Sequence, residues 1–292
     1  MVLYNGLRLP DIGSGTYPYK EELVSLIPAM VDKGYRLFDT SDNYHNERFL
    51  GRGLSCVDLK LQNEIIVMSK YSRPQKSVRA SFEESSESVF PDNLKGTRRI
   101  DIYLMHWPYP HLWKRRWREM EELYLAGSCK AIGVCNFNER KMQELLSFCR
   151  VKPMINQFEC HPAFQQRELL QICRDENIQV VSYSPLARKC RDLFDNEILL
   201  SIAGTHNKTV SQIILKWNIS EGRIPIPASS NMVHVTENIG LDFDLDADEI
   251  AMINSLEKGM RIRFDPDKRF AFPYRMAFFA YNLFLNVTTK AK

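Results

Sequence analysis

Short apolar runs alternate regularly with longer amphipathic ones along nearly the whole chain, and this alternation constrains the fold more than any other feature. Candidate strands fall at 12–15, 35–40, 65–69, 100–105, 131–134, 154–158, 179–183 and 223–226. Helical patterns lie near 20–33, 46–56, 75–90, 113–126, 138–149, 166–176 and 209–219, with more after 232. The strands are nearly continuous in apolar residues and rich in Val and Ile, the pattern of strands buried on both faces of a parallel sheet. Eight of them, each followed by a helix, predict an α/β fold of the (β/α)8 TIM-barrel type. The 292 residues suit one such domain: a hairpin at 2–9, a barrel over about 11–258, and an aromatic-rich C-terminal tail at 259–292. Within the hairpin, Asn5-Gly6 predicts a type I′ turn.

An open dinucleotide-binding sheet is the rival fold, and it would want G-x-G-x-x-G after a first strand. Gly13-Ser14-Gly15 and Gly51-Arg52-Gly53 both lack the third glycine. A net charge of +3 is too small to argue for nucleic acid or an anionic membrane as the main partner. The mixed basic and aromatic run from Trp113 to Arg118 reads as a solvated helix start, with one tryptophan edging the pocket. Seven cysteines, odd in number and without a C-x-x-C pair, suggest neither a disulfide framework nor a metal site and point to a reducing, cytoplasmic setting. No signal peptide is read in the first residues, and no apolar run approaches the ~18 residues of a spanning helix.

In a barrel of this kind, reactive groups sit at the C-terminal strand ends, where the loops converge. Polar residues collect there: Asp39 to Tyr44 after the second strand, Ser69-Lys70 after the third, His106-Trp107 after the fourth. Cys135-Asn136 follows the fifth, Asn156-Gln157 and Glu159 the sixth, and Tyr183-Ser184 the seventh. Asp39, Lys70, Tyr44 and His106 form a chemically sensible set. A lysine beside an ionised aspartate stays charged, and a cation beside a phenol lowers the phenol's pKa. Such a phenol can protonate a carbonyl oxygen as hydride arrives at carbon, while the imidazole orients the carbonyl.

These strings resemble the aldo-keto reductase family. FDTSDNYHNE is similar to its aspartate and tyrosine motif, MSKY to its lysine motif and LMHWP to its histidine motif, with IGVCNF, INQFECHP and SYSPL following in order. The resemblance implies an (α/β)8 barrel whose N-terminal hairpin closes the bottom, and reduction of an aldehyde or ketone by NAD(P)H. It makes Tyr44 the general acid, tuned by Lys70 and Asp39, with His106 orienting the substrate. It further implies that Asn136, Gln157 and Cys135 surround the nicotinamide carboxamide and that Tyr183 stacks on the ring. Ser184 and Leu186 would begin the pyrophosphate contacts, and Ser229, Glu237 and Asn238 would hold the adenosine end. Tyr17 and Trp107 would line the substrate pocket, joined by Phe270, Phe272 and Tyr274 from the tail.

Three departures from the family pattern bear on the cofactor. Cys135 stands where a serine is usual, and a thiol is the weaker hydrogen-bond partner. Ala228 and His234 stand where a lysine and an arginine usually grip the 2′-phosphate of NADP, so NAD is an alternative to NADP and the two are expected to compete within about tenfold. The loops after His106 and Leu186 are short. A Schiff-base barrel lyase using Lys70, and a non-catalytic cofactor-binding regulatory subunit, are the competing functions. The expected partner is a small carbonyl substrate, with no nucleic acid and no membrane. A monomer is favoured, and the apolar stretch 276–287 is expected to pack back on the barrel.

Overall fold

Eight parallel strands run in sequence order around one sheet: β1 Ser14–Gly15, β2 Leu37–Asp39, β3 Ile66–Tyr71, β4 Ile102–Met105, β5 Ala131–Cys135, β6 Ile155–Glu159, β7 Gln179–Tyr183 and β8 Ile224–Pro225. The sheet closes on itself through backbone bonds from Gly13 N to Pro225 O and from Gly15 N to Pro227 O, each 3.0 Å. This computed structural model describes residues 1–91, 100–263 and 265–269. Phe270, Phe272, Tyr274 and the stretch 276–287 lie outside the described residues.

Side-chain alternation with a period of two sorts each strand into inner and outer faces. Leu37, Ile66, Met68, Ile102, Leu104, Ala131, Ile155, Val181 and Ile224 fill the barrel interior. Phe38, Val67, Tyr71, Tyr103, Ile132, Val134, Phe158 and Val180 face outward, into a second core beneath the helices. The barrel helices include Leu23–Asp32, Glu47–Ser55, Val78–Val89, Trp113–Leu125, Glu139–Leu146, Arg167–Asp175, Val210–Ser220 and Met232–Ile239, one after each strand. Gly51 and Gly53 belong to the second of these. A Cβ on Gly51 would collide with the Val89 carbonyl, and one on Gly53 with the Leu23 carbonyl and Ile27. The Gly-Arg-Gly run therefore serves close helix packing rather than phosphate binding.

The hairpin seals the bottom. Leu3 and Leu9 join the interior core. The Tyr4 hydroxyl donates to Lys152 O at 2.6 Å and Asn5 Nδ2 to Lys130 O at 2.9 Å, just ahead of β6 and β5. Its turn departs from the type I′ expectation. Gly6 has φ 88° whereas Asn5 is not left-handed, and the bonds Gly6 N to Leu3 O and Leu3 N to Leu7 O define a three-residue loop. Glycine takes the left-handed third position, which a two-residue turn does not contain.

Two helices absent from the sequence-based expectation, Arg191–Phe194 and Glu197–His206, follow β7. Asn196 caps the second by accepting from Ile198 N at 3.0 Å. Trp113 and Trp117 are both buried, Trp113 against Phe137 and Phe148, and neither edges the cleft. The helix is solvated on its other side, through the exposed Lys114 and Arg115. Among the described residues no helix is long and apolar enough to cross a membrane.

Candidate active site

With the bottom plugged, the open end of the barrel is its C-terminal mouth, and there a cleft of about 800 Å³ runs from Tyr44 and His106 to Ser229 and His234. Parity supplies its chemistry. The inner-facing series Leu37–Asp39, Met68–Lys70, Leu104–His106, Ile155–Gln157 and Val181–Tyr183 each exchange an apolar residue for a polar one at the last inward position. The strand register brings those positions together, with Asp39 beside Met68 and Lys70 beside Leu104.

Lys70 Nζ lies 2.7 Å from both carboxylate oxygens of Asp39 and donates to Thr40 O at 2.8 Å. The lysine side chain is 0% exposed and the aspartate 4%. Burial favours the neutral amine, but the Asp39 carboxylate beside it more than offsets that, and Lys70 is held above the ordinary lysine range. Gln157 Nε2 donates to Asp39 Oδ1 at 2.8 Å, tying β6 to the same pair. The Lys70 ammonium sits 4.9 Å from the centre of the Tyr44 ring. Tyr44 in turn packs edge-on to the His106 imidazole, 5.8 Å between centroids, and against Tyr17 at 5.1 Å.

The Tyr44 phenol does not follow the expected downward shift. Burial pushes it up, the Lys70 cation pulls it down, and Asp39 and Cys135 push it up again, for a net value of about 12. Asp39 neutralises much of the pull that a lone lysine would exert. The tyrosine is therefore held as the protonated phenol, the form a proton donor requires.

His106 is fixed from behind by residues to which the sequence-based reading assigned no role. Its Nδ1 lies 2.6 Å from Ser72 Oγ and 3.2 Å from Ser41 Oγ, and the two hydroxyls are 2.9 Å apart. Asp42 accepts from Ser41 Oγ and Ser72 N, both at 3.3 Å, and Arg73 Nε is 3.7 Å away. Burial raises the Asp42 carboxyl, against the pull of Ser72 and Arg73. Ser72 continues the inner parity of Met68 and Lys70 one step past the strand, and that parity could have found it.

Farther along, Asn136 adopts φ 62° and bridges two strand ends: its Nδ2 donates to His106 O at 3.0 Å and its Oδ1 accepts from the Tyr183 hydroxyl at 2.7 Å. This locks the Tyr183 ring as one wall of the cleft. Ser184, Leu186, Ser229, Tyr17 and Trp107 line the cleft as well. Three expected residues are not among those lining the cleft. Cys135 is buried, with Sγ 3.9 Å from Gln157 Oε1, and does not form the cleft wall. Glu237 and Asn238 sit on Met232–Ile239, Asn238 buried, while His234 of the same helix and its N-cap Asn231 line the cleft. Arg188, Lys189 and Arg263 line the cleft unforeseen.

Lys70 is not part of the cleft lining, and its ammonium is fully engaged by acceptors. An enclosed, protonated amine cannot attack a carbonyl, which removes the Schiff-base alternative.

The chain matches the model of the Aldo/keto reductase family over residues 6–258. It is 35% identical over 271 residues to the glyoxal reductase of Bacillus subtilis, covering 91% of this chain and 95% of that protein. It is 34% identical over 270 residues to the methylglyoxal reductase DkgA of Escherichia coli K12, covering 91% and 96%. Among solved structures, MGS-M4, an aldo-keto reductase enzyme from a Medee basin deep-sea metagenome library, superposes with TM-score 0.85 at 32% identity, covering 91% of this chain and 98% of that one. A Bombyx mori aldo-keto reductase in complex with NADP gives TM-score 0.83 at 28% identity, covering 94% and 97%. With the barrel, its polar strand ends and these likenesses all agreeing, this chain belongs to the aldo/keto reductase family.

Proposed function

We propose that the chain reduces small aldehydes or ketones, with Tyr44 delivering the proton to the carbonyl oxygen. The observation that carries this is the buried Asp39–Lys70 pair set beneath a protonated Tyr44 and beside His106. As Tyr44 gives up its proton, the adjacent ammonium stabilises the phenolate that remains, and Asp39 with Thr40 O keeps the ammonium in place. Ser72 and Ser41 hold Nδ1 of His106 and so fix the imidazole beside Tyr44, where it orients the carbonyl.

The cleft has the donor set for a nicotinamide dinucleotide: an aromatic wall at Tyr183, hydroxyls at Ser184 and Ser229, and cations at its far end. Asn136, Gln157 and Tyr183 would hold the nicotinamide end, and Ser184, Leu186 and Ser229 the phosphate and adenosine portions. When bound, the dinucleotide supplies the hydride. The NADP complex of the silkworm relative supports this cofactor type, and the glyoxal and methylglyoxal reductases support small dicarbonyl substrates. Seven free thiols fit a reducing, cytoplasmic compartment. A regulatory subunit would have no use for an intact proton-delivery set.

Titration of the protein with NADPH and NADH, followed by an aldehyde panel including glyoxal and methylglyoxal, tests the reading. Loss of reduced-nicotinamide absorbance on adding a carbonyl supports it. Binding without turnover of any panel member would overturn it in favour of the non-catalytic alternative.

A further inference from the structure

At the end of the cleft away from Tyr44, cations arrive from an unexpected direction. After β7 the backbone passes through left-handed geometry at Ala187, Arg188 and Lys189, with φ 44°, 53° and 56°. This turn brings the two basic side chains onto the cleft rim, facing the loop after β8 that carries Ala228, Ser229 and Asn231. Lys189 Nζ lies 3.5 Å from His234 Nε2. A lysine ammonium and an imidazole thus meet at one point of the rim of a cleft that Ser229 also lines. Among the described residues lining the cleft, the one acid is Asp39, at the opposite end. The far end therefore presents positive charge with no carboxylate among those lining residues to balance it.

Hydride delivery must occur beside Tyr44 and His106, which directs the adenosine half of a bound dinucleotide to this far end. We infer that Lys189, with His234 and Ser229, forms the site for the ribose 2′-phosphate that distinguishes NADPH from NADH, and that the chain prefers NADPH. This rests on the reductase reading of the cleft. It replaces the expectation of near-equal affinities, which followed from Ala228 and His234 considered without the β7 loop. Lysine suits the task as a mobile point charge, and a charge-assisted bond to phosphate is among the stronger hydrogen bonds. Because Lys189 is exposed, its contribution is screened by salt.

Dissociation constants for NADPH and NADH, and for 2′,5′-ADP and 5′-AMP, measured by tryptophan fluorescence or calorimetry on wild type, Lys189→Ala and Lys189→Glu, test this without turnover. The expected result is a wild-type NADPH preference of at least about thirtyfold. Lys189→Ala should cut it about tenfold and Lys189→Glu should abolish it, with 2′,5′-ADP following NADPH. Raising the salt concentration should erode the wild-type preference and leave the glutamate variant little changed. If wild type binds both dinucleotides equally, or its preference survives Lys189→Glu, the inference fails while the reductase reading stands. Binding of neither dinucleotide by wild type would overturn both.

Discussion

Ser72 Oγ lies 2.6 Å from Nδ1 of His106, inside a buried network that ends on Asp42. A hydroxyl at that distance holds the imidazole in one orientation. Ser72→Ala is expected to lower kcat/KM about tenfold, roughly 1.4 kcal/mol, with cofactor affinity within twofold of wild type. Ser41, at 3.2 Å, keeps the loss from being larger, so Ser41→Ala combined with Ser72→Ala should cost more than either alone. Ser72→Thr retains the hydroxyl and should recover most of the activity. Equal kinetics for wild type and Ser72→Ala would remove the positioning role.

Tyr44→Phe deletes the acid and keeps the ring that packs on Tyr17 and His106. Turnover should fall by at least about a thousandfold, within the range assigned to positioned proton donors. The NADPH dissociation constant should change by less than about threefold. Parallel loss of both would mean that the ring serves cofactor binding instead.

The pH dependence separates the structural result from the simple cation–phenol argument. A general acid works while protonated, so its rate falls as pH rises through its pKa. With Tyr44 pushed up to about 12 in the free protein, kcat/KM for reduction should show no Tyr44-dependent decline between pH ~7 and ~9.5. A descending limb centred near pH ~8 that tracks this residue would contradict the dominance of burial.

Glu47 offers a stability test. It is buried, and its carboxyl, which accepts from Ser69 Oγ at 2.7 Å, is raised to about 7, chiefly by burial. In the unfolded chain it titrates near its ordinary value of 4.5. The folded state therefore retains a proton that the unfolded state has lost across that window. The stabilisation is complete below about 4.5 and declines as pH rises through about 7, by up to about 3 kcal/mol. Glu47→Gln does not titrate, so its stability relative to wild type should improve by that order between pH ~4 and ~8 in urea melts. A difference independent of pH would show that Glu47 is not so perturbed.

Much of the barrel was legible because its determinants are local. Each of the eight expected strands overlaps an observed one, since an apolar run bounded by turn residues needs only its neighbours to be recognised. The polar residue ending the inner series of a strand is also local information, which is how Asp39, Lys70, His106 and Gln157 were placed at the mouth. Boundaries were less legible. Lys70 lies within β3 rather than beyond it, and β1 and β8 are two residues each, Pro225 and Pro227 having no N–H to donate to the ladder.

The sequence by itself determined the strand count, the inward parity and the residue types at the mouth, all properties of segments a few residues long. Tertiary structure alone decided the rest. It set the Gly13–Pro225 closure, the Ser72–His106 contact and the meeting of Lys189 with His234, pairs tens of residues or more apart in the chain and joined only by packing. It also decided the direction in which Tyr44 titrates. That direction is a balance of burial against two opposite charges, and a balance of distances is not written in any one segment.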